Sequence, residues 1–172
     1  MSGARAQAES AGWSASPIAP ELASVLLGTL GLVATIEWHL HEFRKCTRIP
    51  CELTVNDAAG FNLPEEYATA IFHVYLEALS NVARHAAASR VAIEVSMTPD
   101  EVAMVVRDDG IGIASVQDRS SNLGGLAGVC KRADSYNGMC RISGAPNSGT
   151  TLSVRLPLGE AACRKEYSAY AR

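Results

Sequence analysis

Between Pro64 and Val106 the spacing of apolar residues changes once, from steps of three and four to alternation, and no other feature constrains the fold as tightly. Ile71, Val74, Tyr75, Ala78, Leu79 and Val82 recur at helical spacing. They follow Pro64-Glu65-Glu66, a proline and two acids suited to a first helical turn. The spacing predicts a helix that ends near Ala87. Arg90–Ser96 and Glu101–Val106 then alternate, and Pro99-Asp100 between them predicts a hairpin.

Outside this segment, Cys51–Val55 reads as a short strand and Asn56–Asn62 as a turn. Gly125–Asp134 reads as a helix that starts on glycine, and Met139–Ile142 and Thr151–Leu156 as a last pair of strands. Ala114–Asn122 is polar and unpatterned. Met1–Ala19 reads as a mobile tail, and Glu21 to about Lys45 as one long helix weakened at Gly28 and Gly31. That helix is apolar nearly all round in its first half, which suggests packing against a partner or a second copy.

At 172 residues the chain holds one ordinary domain and a short appendage. Its net charge of -3 argues against a nucleic-acid binder, which needs a basic face. Leu22–Ile36 is apolar over about fifteen residues, short of the ~20 a membrane helix needs, so no membrane span is expected. Five cysteines without a CxxC pair read as reduced thiols of a cytoplasmic protein.

Three polar constellations stand out. Glu77 and Asn81 lie four apart on the Pro64–Ala87 helix, with Arg84 and His85 following on the same turn. An amide oxygen suits Mg²⁺, which keeps few protein ligands and takes phosphate oxygens for the rest. Asp108-Asp109-Gly110-Ile111-Gly112 closes a strand with a carboxylate able to accept a hydrogen bond from an exocyclic amine. Its glycines let a ligand approach the main chain. Gly125-Leu126-Ala127-Gly128 opens a helix whose free N–H groups could seat phosphate, and Gly149-Thr150-Thr151 opens a later strand. Each alone has an ordinary reading, as a solvated helix face, a plain turn or glycine punctuation. Their order and spacing together do not.

Glu77–His85, Asp108–Gly112, Gly125–Arg132 and Gly149–Thr151 resemble, in order, the asparagine box and the three glycine boxes of the histidine-kinase ATPase superfamily. The wording EALSNVARHA and GLAGVCKRAD is most similar to bacterial sensor kinases of the nitrate/nitrite and oxygen-sensor class. The resemblance covers residues 48–158. It implies an α/β fold, an α+β two-layer sandwich of the Bergerat ATP-binding type, with a mixed sheet backed by helices and a lid over the nucleotide. It also implies ATP and Mg²⁺ as ligands: Asn81 for the metal, Asp108 for the adenine amino group, and Gly110 and Gly112 for the pocket floor. Gly125, Leu126 and Gly128 would border the phosphates, and Thr151 the adenine side. Arg84 or His85 takes the place of a phosphate-contacting residue, and Glu77 that of the water-activating base in hydrolysing relatives.

The same resemblance divides the chain into a tail (1–19), a remnant of a dimerisation hairpin (20–47), the ATP-binding domain (48–158) and a C-terminal tail (159–172). Helix 21–45 is similar to the second helix of that hairpin, and the helix carrying the acceptor histidine is missing. His41 precedes an acid, yet only about eight residues separate it from the Cys51 strand, too few for a return helix of ~30 residues. The lid sequence Ser120–Gly124 departs from the usual one. The expected activity is transfer of the ATP γ-phosphate to a histidine on another chain. The expected partners are a second copy or a kinase through helix 21–45, and a response regulator or acceptor-histidine protein. A stand-alone anti-sigma-type serine kinase and a non-catalytic nucleotide-binding remnant are the alternatives.

Overall fold

The computed structural model describes residues 20–57, 63–112 and 124–159. Helix α1 (Pro20–Thr47) leads into strand β1 (Cys51–Asp57), helix α2 (Glu65–Asn81) and a single π-helical turn (Val82–Ala86). Strands β2 (Val91–Met97) and β3 (Glu101–Asp108), helix α3 (Gly124–Ser135) and strands β4 (Met139–Gly144) and β5 (Thr150–Pro157) complete it. The sheet order is β1-β2-β3-β5-β4, with β1 parallel to β2 and every other pair antiparallel. Parallel neighbours need a long crossover, and α2 supplies it.

Alternation puts one face of this mixed sheet against the helices. Leu53, Ile93, Val106, Leu152 and Ile142 form one cross-strand row, and Val55, Val95, Met104, Val154 and Cys140 the next. Against them lie Ile71, Phe72, Tyr75, Ala78 and Leu79 of α2 and Leu126, Val129 and Ala133 of α3, all in one core. The far face carries Glu52, Thr54, Glu94, Arg107, Arg141 and Arg155, all exposed. Two loose pairs there, Arg107–Glu94 at 3.7 Å and Arg155–Glu101 at 3.6 Å, are solvated and add little. The architecture is the two-layer sandwich that the resemblance implies.

Helix α1 departs from expectation. Gly31 adopts φ 79 and ψ 176, a backbone state reserved for glycine, so the helix is two segments across a break. After the break, Ile36, Leu40 and Phe43 are fully buried, His39 Nδ1 lies 2.9 Å from the Tyr75 hydroxyl, and Arg44 donates to the Cys51 carbonyl at 2.6 Å. Before it, Leu22, Val25 and Leu30 stay largely exposed. The stretch Leu22–Thr47 is in fact long and apolar enough to cross a membrane by length and composition, so the length argument from sequence fails. One side of the second half of α1, with Ile36, Leu40 and Phe43, belongs to the core that α2 shares, while Trp38 is exposed.

The expectation of reduced thiols is also corrected. Cys130 on α3 and Cys140 on β4 form a disulfide, their Cα atoms 5.0 Å apart. Cys46 and Cys51 are free thiols. Cys163 lies outside the described residues. The turn at Tyr136–Gly138, whose amides return to Ala133 and Asp134, folds α3 back onto β4 and brings the two sulfurs together. Closing a loop this short is worth about 3 kcal/mol through the unfolded chain. Cys140→Ser is therefore expected to lower the urea-unfolding free energy by about 2–3 kcal/mol without reductant, and by far less with dithiothreitol present. Equal loss in both conditions would remove the cross-link from the stability argument.

Candidate functional site

Helix α2 organises the site. Pro64 precedes it and accepts hydrogen bonds at its carbonyl from Tyr67 and Ala68, with Glu65 and Glu66 in the first turn where the dipole favours acids. At the other end, the expected α-helix to Ala87 is α-helical only to Asn81. It widens into the π-helical turn that carries Arg84 and His85, both exposed, and stops at Ala87 in the left-handed region. A π turn shifts every following side chain around the axis, so Arg84 and His85 leave the register they would hold in an α-helix.

Asn81 donates from Nδ2 to the Glu77 carbonyl at 2.8 Å. This bond fixes which end of the amide is which and leaves Oδ1 as the acceptor. Among the described residues no group of three or more His, Cys, Asp and Glu could hold a metal. A cation here would rest on Asn81 and phosphate oxygens, as hard Mg²⁺ sites do.

The Asp108 turn is joined directly to the end of α2. The Ile111 amide donates to the Ala86 carbonyl at 2.8 Å, and a Cβ on Gly110 would strike that same carbonyl. Asp108 Oδ1 accepts from the Gly110 amide at 2.9 Å and the Thr150 amide at 3.3 Å. The Thr150 side chain bonds this carboxylate as well. Partial burial raises the Asp108 pKa, opposed by those two amides. Gly112 (φ 70) and Gly149 (φ 73) lie in the left-handed region, and a Cβ at either would meet backbone oxygens of Ala145 or Asp108. The glycines here are steric requirements.

The third piece reaches α2 as well. The Glu77 carboxylate lies against Gly125 at the start of α3, where any side chain would displace it. Gly128 has open space around it and is exposed, the geometry of a helix face that a ligand can approach.

Two assignments change. Thr151 pairs with Arg107 and faces the outer side of the sheet; Thr150 is the residue whose amide reaches Asp108. A strand flips side with every residue, so one step of misplacement moves a residue to the wrong face. Leu126 is 5% exposed and sits in the core, so it anchors α3 rather than bordering phosphates. Sequence reasoning also passed over Asp109 and Ser89, which bond to each other. Of the lid sequence Ser120–Gly124, residues 120–123 lie outside the described residues.

A family model described as Histidine kinase-, DNA gyrase B-, and HSP90-like ATPase matches residues 66–160. The chain belongs to this ATPase family. It is 33% identical over 136 residues to the sensor histidine kinase MctS of Rhizobium johnstonii, covering 77% of this chain and 29% of that one. It is 31% identical over 137 residues to the sensor histidine kinase LiaS of Bacillus subtilis, covering 80% and 37%. It is also 28% identical over 138 residues to the oxygen sensor histidine kinase NreB of Staphylococcus carnosus, covering 80% and 40%. The chain thus spans roughly a third of the length of these relatives. Among solved structures, a blue-light activated histidine kinase of Erythrobacter litoralis superposes with a TM-score of 0.58 at 22% identity, covering 75% of this chain and 46% of that one. Acinetobacter baumannii AdeS superposes with 0.54 at 13%, covering 80% and 75%. Both share the fold.

Proposed function

We propose that this chain is the ATP-binding catalytic part of a sensor histidine kinase, holding Mg-ATP between the end of α2 and the Asp108 turn and delivering the γ-phosphoryl group to a histidine on another chain. The observation that supports this reading is the Ile111–Ala86 hydrogen bond with Gly110 pressed on the same carbonyl, which joins the Asp108 turn to the π turn that follows Asn81.

In this reading Asp108 Oδ2 accepts from the adenine amino group while Gly110 and Thr150 hold the other oxygen. Asn81 Oδ1 offers a metal ligand, and Arg84 or His85 contributes charge toward the phosphates. Mg²⁺, when bound, neutralises phosphate charge and leaves the phosphoryl group open to the entering imidazole nitrogen. The γ-phosphorus–oxygen bond to ADP breaks as the phosphorus–nitrogen bond forms, and the protein's work is positioning and charge stabilisation. In the same reading Glu77, whose carboxylate lies against Gly125, holds a proton of the acceptor. The exposed Leu22, Val25, Leu30 and Trp38 suit α1 to pair with a second copy or a kinase partner. A response regulator would receive the phosphoryl group next. We place the domain on the cytoplasmic side, where ATP is supplied, and the net charge of -3 suits a partner other than nucleic acid.

Calorimetric titration of ATP with and without Mg²⁺ tests the site. Asp108→Asn turns an acceptor toward a donor and is expected to weaken ATP by about tenfold to a hundredfold. Asn81→Ala is expected chiefly to remove the difference that Mg²⁺ makes. Parental binding by both variants would refute the assignment.

A further inference from the structure

Asp109, the residue between the adenine-reading Asp108 and Gly110, makes more hydrogen bonds than any other carboxylate described. Its Oδ1 accepts from the Ser89 amide at 2.7 Å and the Arg90 amide at 2.9 Å, and its Oδ2 accepts from the Ser89 hydroxyl at 2.6 Å. Its own amide donates to the Arg90 carbonyl at 3.4 Å. Ser89 and Arg90 end the segment that begins at Ala86, the last residue of the π turn with Arg84 and His85. Inside that segment Ala87 has φ 48, a conformation an alanine holds only when its surroundings impose it. The front of the segment is held by Ile111, through the Ala86 carbonyl. The back is held by Asp109.

We infer that Asp109 is a positioning residue for nucleotide binding: it clamps Ser89 and Arg90 so that the turn bearing Arg84 and His85 keeps a fixed place relative to Asp108. The inference rests on the ATP-site reading above. The Asp109 residue is exposed, and its carboxylate is spent on Ser89 and Arg90; it acts through the loop it grips. The same bonds hold its pKa below the usual carboxylate range, the Ser89 hydroxyl foremost. Geometry, not charge, is what the clamp requires. An asparagine keeps one oxygen for the two amides and turns its NH₂ to the Ser89 hydroxyl, which can accept. A glutamate keeps the charge but carries the oxygens one methylene too far.

The test compares Asp109→Asn, Asp109→Glu and Asp109→Ala with the parent and with Asp108→Asn. MgATP affinity is read by calorimetry and adenosine affinity by competition. At an exposed site all three variants are expected to fold, and thermal melts verify it. We expect the alanine and glutamate variants to bind MgATP about tenfold more weakly, the asparagine variant to stay within threefold of the parent, and adenosine affinity to change less than twofold throughout. Glutamate binding like the parent while asparagine fails would overturn the clamp in favour of charge. Equal losses for ATP and adenosine would overturn it in favour of a merely structural cap, and parental binding by all three would overturn it outright. If Asp108→Asn alone binds like the parent, it is the ATP-site reading that fails, and the clamp falls with it.

Discussion

Gly110→Ala is expected to abolish measurable ATP binding, a loss beyond a hundredfold, while costing about 3 kcal/mol of stability. An added Cβ would overlap the Ala86 carbonyl oxygen and stand 2.8 Å from its carbon and 3.0 Å from the Ala86 Cβ. The first two are backbone atoms of the π turn and the third has no rotamer, so no side-chain change relieves the clash. Either the Asp108 turn or the π turn must withdraw, and each withdrawal breaks the Ile111–Ala86 hydrogen bond that joins them. Gly128→Ala is the natural control. There a Cβ meets nothing within 4 Å, and alanine in a helix interior gains about 0.5–1 kcal/mol over glycine. Gly128→Ala is therefore expected to melt higher than the parent and still to bind ATP less well, since its methyl stands on the face assigned to the phosphates. Calorimetry and thermal unfolding on both variants check this. ATP affinity for Gly110→Ala within threefold of the parent would show that the junction does not shape the nucleotide site.

How far the sequence predicted these features depends on how local their causes are. Alternation in Val91–Met97 and Glu101–Asp108 set both the strands and the face each side chain takes, because period two is a property of the chain itself. The helical stripe of α2 was readable for the same reason, and so were Glu77, Asn81, Asp108 and the glycines of the turns. What stayed hidden depends on contacts between distant segments. The Cys130–Cys140 bridge needs the reversal at Gly138, which no cysteine spacing announces. Gly31 could be seen as a weak point, but not as a full break, since that depends on where each half of α1 finds something to pack on. The π turn at the end of the α2 stripe, whose Ala86 carbonyl accepts from the distant Ile111 amide, was not announced by the helical spacing. Thr151 and Thr150 differ by one residue at the start of a strand that follows a glycine with positive φ, where counting from the motif does not fix the facing.

Acid is expected to loosen α1 from the rest of the domain, and His39 is the group through which it acts. The ring is 1% exposed, with Nδ1 2.9 Å from the Tyr75 hydroxyl and its edge toward Phe72 and Tyr75. Burial pushes the Tyr75 hydroxyl pKa up, so that hydroxyl stays protonated beside the neutral imidazole. The same burial holds the His39 pKa down at about 4, from 6.5 for a solvated ring. Above pH ~6.5 both folded and unfolded chains carry a neutral ring, and its contribution to stability is fully present. Between pH 6.5 and 4 the unfolded chain takes up a proton that the folded one refuses, so stability falls as pH falls. The loss reaches about 2 kcal/mol at pH 5 and about 3 kcal/mol near pH 4. His39→Asn keeps an oxygen for the Tyr75 hydroxyl and cannot titrate. It starts less stable because the smaller side chain leaves a void, but its decline with acid lacks the histidine share. Urea unfolding from pH 7 to 4.5 on the two proteins isolates that share, since the carboxylates titrate equally in both. The parent should lose about 2 kcal/mol more than the variant by pH 5. Parallel curves would mean that water reaches His39, and then the join between α1 and α2 is not the closed, apolar contact that Ile36, Leu40 and Phe43 make it.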